Sequence, residues 1–130
     1  MDIKKQILDA DDRTMEPIDL PLWGSPPVYV MALSGAERDA FEASLWEQRG
    51  KKQVQNIHNA RAKLAVLCLV DANKQRVFTD ADAPALGRKS GDHLQQIFEK
   101  AKRLSRMSNG DIEELVGNSN GDQSEGSASA

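Results

Sequence analysis

The spacing of apolar residues changes period several times along this chain. Ile3, Ile7 and Leu8 fall on one face of a short helix over Asp2 to Ala10, with Asp2 placed to cap it. A helix of that length is marginal on its own. Between Met15 and Leu22 the period becomes two: Ile18, Leu20 and Leu22 alternate with Asp19 and Pro21. Pro17 and Pro21 confine this strand to an edge or a short piece. Trp23-Gly24-Ser25-Pro26-Pro27 reads as a turn. Val28 to Leu33, β-branched and aromatic, is the clearest strand, so the two segments predict an antiparallel hairpin. Ser34-Gly35-Ala36-Glu37 is a capping box. It predicts a helix to about Gln48, with Phe41 and Leu45 inward and Ala40 and Ser44 allowing close approach. Arg49-Gly50-Lys51-Lys52 breaks that helix. A second is predicted from near Gln53, with Ile57, Ala60, Leu64, Leu67 and Cys68 on one face. Leu64 to Val70 is apolar all round and is predicted to be the most buried stretch.

After the polar turn from Asp71 to Arg76, Val77-Phe78 reads as a very short strand joining the hairpin. Thr79 or Asp80 caps a helix of one or two turns to Leu86, which Gly87 ends. Ser90 opens a longer helix whose stripe is Leu94, Ile97, Phe98, Ala101 and Leu104. Ser108 to Val116 predicts a last short helix, with Ile112, Leu115 and Val116 inward. Gly117 to Ala130 is polar and aperiodic, and predicts a flexible tail. There are no internal repeats. The expected fold is α+β, a small antiparallel β-hairpin or sheet packed with four to five helices. It forms a single domain over 1–116, followed by a flexible polar tail over 117–130.

Composition narrows the function. The chain has 130 residues, the size of one domain. Aromatics are 5%, which argues against a surface for stacking bases. The longest apolar run, Leu64 to Val70, is far short of the roughly 20 residues of a membrane span. The N-terminus lacks the apolar core of a secretory signal. A single cysteine, Cys68, excludes an internal disulfide framework and any multi-thiolate metal site. The net charge of −3 hides an uneven distribution: residues 1–20 are acidic, 88–106 carry six basic and two acidic side chains, and 111–116 are acidic again. That pattern suggests contacts between segments or between copies.

No catalytic constellation emerges. His58 and His93 lie far apart and read as surface or satisfied histidines; Cys68 sits in the most apolar stretch, as an inert core thiol. Asp80 and Asp82 lack the glycine and later glutamate of a calcium loop and read as helix caps. Gly87-Arg88-Lys89-Ser90 lacks the upstream glycine and buried strand of a phosphate loop. No cofactor or metal is expected, and an enzyme is not. The alternative reading is a small nucleic-acid-binding regulator that presents the basic segment Arg88 to Arg106 to phosphates. Against it, that helix commits its other face to the core.

The ordered set of segments resembles the tail assembly chaperones of long, flexible-tailed bacteriophages. The stretches that carry the resemblance best are Ser34 to Phe41, Cys68 to Asp82 and Leu86 to Leu104. It covers nearly all of residues 1–116. It implies a non-enzymatic protein of the host bacterial cytoplasm, absent from the mature virion. Such a protein coats the helical tape measure protein and keeps it soluble while the tail tube forms. It also implies homo-oligomerisation, and commonly a longer frameshifted form that recruits the tail tube protein. A Gly-Lys pair, which such slip sites often encode, is absent from the tail and occurs here at Gly50-Lys51. Candidate partner-binding residues are the aromatics Trp23, Tyr29 and Trp46. Candidate self-association residues are Arg88, Lys89, Lys100 and Arg103. A structural joining protein of the tail is the third reading.

Overall fold

Arg13 fixes the point where the N-terminal segment enters the body. Its Nε donates to the Ala32 carbonyl at 2.9 Å and its guanidinium meets Glu37 at 2.6 Å. The same Glu37 carboxylate accepts the Ser34 amide, while Ser34 Oγ accepts the Glu37 amide, completing the expected capping box. The computed structural model describes residues 2–107. The predicted helix over 108–116 and the tail over 117–130 lie outside the described residues. Within them the fold is α+β, as the periodicities predict. In chain order it comprises α1 (Ile3–Asp9), β1 (Met15–Ile18), β2 (Val28–Met31), α2 (Gly35–Ser44), β3 (Trp46–Arg49), β4 (Lys52–Gln55), α3 (Ala60–Cys68), β5 (Leu69–Val70), α4 (Ala83–Leu86) and α5 (Gly91–Leu104).

β1 and β2 form the expected antiparallel hairpin, with Ile18 opposite Val28 and Met15 opposite Met31. Pro17 is tolerated because β1 is the sheet edge in the order β1-β2-β5. The third strand is not Val77-Phe78 as the sequence suggests. Leu69–Val70 supplies it, antiparallel to Tyr29 and Val30, directly from the end of α3. Arg76 makes only an isolated bridge to Val70, and the Val77 amide donates to the Leu69 carbonyl. Leu64 to Val70 is, as predicted, almost wholly buried, and α3 packs chiefly against α5. Leu94, Ile97 and Ala101 of α5 are buried in the same core as Phe41, Leu45 and Leu64.

The largest departure from the expected elements lies between Leu45 and Asn59. The helix predicted to reach Gln48 stops at Ser44, whose hydroxyl donates to the Phe41 carbonyl while Lys63 Nζ donates to the Ser44 carbonyl. A second hairpin follows, β3 pairing antiparallel with β4. Its two-residue turn is Gly50-Lys51, with φ of +62° at Gly50, the conformation that glycine adopts at no steric cost. The predicted helix start near Gln53 is therefore β4, and Ile57 is exposed instead of facing the core. Segments rich in Gln, Glu, Lys and Arg carry weak strand propensity, and here the turn chemistry overrides the helical reading.

Candidate functional site

A short 3₁₀ turn, Pro21–Trp23, links β1 to β2 and is held from outside by α5. His93, 2% exposed in the first turn of α5, accepts the Leu22 amide on Nε2 at 3.0 Å. An Nε2 that accepts carries no proton, so the neutral ring holds its hydrogen on Nδ1. The Trp23 ring stands edge-on to the imidazole, centroids 5.1 Å apart and planes at 79°. Trp23 Nε1 and His93 Nδ1 are buried without a hydrogen-bond partner. The Asp92 carboxylate lies 3.7 Å from His93 Nδ1, beyond hydrogen-bond distance.

Beside it lies an apolar groove of about 360 Å³, lined by Leu20, Trp23, Pro26, Val28, Leu69, Val77, Phe78, Ala85, Leu86 and Lys89. Its floor is the buried trio Leu20, Leu69 and Leu86, which belong to the main core, so the groove is anchored on rigid elements. Trp23, Val28 and Phe78 are half-buried walls. Val77 stands on the rim, 44% exposed. Lys89, also exposed, is the one charged residue of the lining. Such a volume sits at the low end of small-molecule pockets, about 300–1,000 Å³. With an almost wholly apolar lining, it suits a few aliphatic side chains.

The groove joins two residues that the sequence assigns to different roles, the aromatic Trp23 and the basic Lys89. Tyr29 is not part of it: β-strand alternation turns Tyr29 to the opposite sheet face from Val28. Trp46, 43% exposed, lies on the separate β3–β4 sheet. Arg88 is exposed beside Lys89. Lys100 and Arg103 sit elsewhere, over β1. Arg103 binds Glu16 through both terminal nitrogens at 2.7 and 3.2 Å, and Lys100 Nζ lies 3.5 Å from Glu16 and donates to the Pro17 carbonyl. Hydrogen bonding from Arg103 holds the Glu16 carboxyl below its usual range. That shared contact ties the acidic start to the basic helix within one chain, so Lys100 and Arg103 have an internal counter-charge. Lys102 pairs with Glu99 as well, which leaves the basic face less available to phosphates than the sequence implies.

Val77, Phe78 and Leu86 are groove residues that the sequence pattern places in a strand and at a helix end. Their signal was the apolar pair Val77-Phe78 just after a polar turn, unpaired with any periodic run. The other candidates for chemistry have structural duties. Asp82 accepts the Thr79 amide at 2.8 Å as the expected cap, and Asp80 pairs with Arg76. His58 is exposed. Cys68 is fully buried and desolvation pushes its thiol up to about 12. Among the described residues no three His, Cys, Asp or Glu side chains converge as for a metal, and no helix is long and apolar enough to cross a membrane.

Comparison with known proteins gives matches to a solved structure and to a family model. The tail assembly chaperone of bacteriophage HK97 has a similar structure: TM-score 0.56, 19% sequence identity, spanning 78% of this chain and 95% of that one. At that identity the likeness bears on the fold. No curated protein matches the sequence. The family model described as phage tail assembly chaperone matches residues 3–119, which takes in every element described above. The chain belongs to the phage tail assembly chaperone family.

Proposed function

We propose that this chain binds the tape measure protein and keeps it soluble while the tail tube assembles, and that it does so without catalysis. The observation that carries this reading is the apolar groove framed by Trp23, Val28, Val77 and Phe78 on a chain of this family. A client of long amphipathic helices presents aliphatic side chains at i, i+3/4 and i+7, and recognition of one helix turn in a groove is a recurring way to hold such a segment. Many weak contacts along one client give coverage while leaving each copy displaceable. The protein then acts in the host bacterial cytoplasm, alongside further copies of itself, any longer frameshifted form and the tail tube protein, and is absent from the virion.

Co-expression tests this. Wild-type chain is expected to move most of the tape measure protein into the soluble fraction. Val77→Asp, on an exposed rim where folding tolerates a charge, is expected to lose that effect while remaining folded by circular dichroism. Unchanged client solubility with the wild type would overturn the proposal; equal rescue by Val77→Asp would remove the groove from it.

A further inference from the structure

Every residue from Asp2 to Asp12 is exposed. α1 nonetheless carries an apolar stripe: Ile3, Ile7 and Leu8 are 68, 65 and 72% exposed. A seven-residue helix is too short to be stable in water by itself, and three large aliphatic side chains on it gain nothing by facing solvent. The body that α1 is joined to offers an unfilled apolar groove at the Trp23 corner. We infer that α1 of one copy docks its Ile3-Ile7-Leu8 stripe into the Trp23–Val77 groove of a second copy, and that the client displaces it. The inference rests on the reading of that groove as the client site.

Two observations favour a second copy as the occupant. The dimensions agree, since a seven-residue helix is about 10 Å long and offers aliphatic side chains for a groove that holds only a few. Second, with the arm's own attachments made, its stripe is not seated in any groove of its own chain. Arg13 is clamped to Ala32 and Glu37, Asp11 is paired with Lys74 at 2.8 Å, and the stripe stays in water. An arm seated in trans covers the groove in client-free protein, which hides an aggregation-prone patch until a better-matched helix arrives.

Cysteine pairing reads this directly, because buried Cys68 does not compete. Full-length Leu8→Cys and Val77→Cys chains, mixed and mildly oxidised, are expected to give a Leu8→Cys/Val77→Cys disulfide dimer. It should form at least about tenfold faster than when Leu8→Cys is mixed with Asp39→Cys, which lies on α2 outside the groove. Ile7→Asp is expected to weaken self-association in sedimentation velocity by about tenfold or more, the equivalent of one buried aliphatic side chain. A double variant that closes only within its own chain would make the arm a latch on its own groove and overturn the inference. A wild-type chain that stays monomeric at every concentration, or self-association untouched by Ile7→Asp, would overturn it too. None of these experiments contains the client. Loss of the cross-link with client rescue intact faults the arm alone; an intact cross-link without client rescue faults the client reading alone.

Discussion

Replacing Phe41 by alanine is expected to lower the unfolding free energy by about 3–5 kcal/mol. Phe41 is completely buried, the largest fully buried side chain in the described core, and it reaches that core from the middle of α2. α2 has little else to hold it: its remaining residues are half-buried or exposed, and α3 is its main neighbour. Removing the ring leaves a cavity in the core cluster that Phe41 shares with Leu45, Leu64 and Ala65, and rigid neighbours fill it only in part. Since a domain of this size is stable by about 5–15 kcal/mol, the variant keeps only part of its stability. Urea unfolding checks it, with a midpoint shift at unchanged slope. A loss under about 1 kcal/mol would mean that α2 is not docked as described.

The second large effect is at His93. His93→Ala removes the acceptor of the Leu22 amide and the ring on which Trp23 rests. It is expected to cost about 2–4 kcal/mol, combining an orphaned backbone donor with a cavity. His93→Phe separates the two terms. It keeps an aromatic ring beside Trp23 but cannot accept, so it should cost about 1–3 kcal/mol. Both variants should loosen the Pro21–Trp23 turn and so weaken client binding more than Phe41→Ala does at matched stability. Equal stability of His93→Phe and wild type would show that the Leu22 hydrogen bond contributes nothing.

Much of the fold was legible because local signals agreed. The Ser34–Glu37 box, the all-apolar Leu64–Val70 run and the α5 stripe each correspond to an observed cap, core segment or packing face. What failed was the choice of period where side chains are long and polar. Trp46 to Gln55 has no apolar alternation strong enough to reveal a hairpin, and the deciding feature is one glycine with positive φ. Leu69–Val70 was legible as buried but not as a strand, because pairing with β2 is a tertiary event.

The groove was half legible. Trp23 was a candidate for its aromatic bulk, yet its neighbours Val77, Phe78 and Leu86 come from segments 54 to 63 residues further along the chain. The role of His93 was hidden for the same reason. A histidine in the first turn of a helix looks like surface until a distant backbone amide, 71 residues away in sequence, is placed against it.

Trp46→Phe leaves Trp23 as the single tryptophan, and its fluorescence then reports on the groove wall alone. Titrating this variant with amphipathic helical segments of the tape measure protein tests whether the groove holds the client. A saturable blue shift is expected as the indole edge is covered, absent in the same variant carrying Val77→Asp. Saturable binding of those segments with no change at Trp23, or a change that survives Val77→Asp, would contradict it.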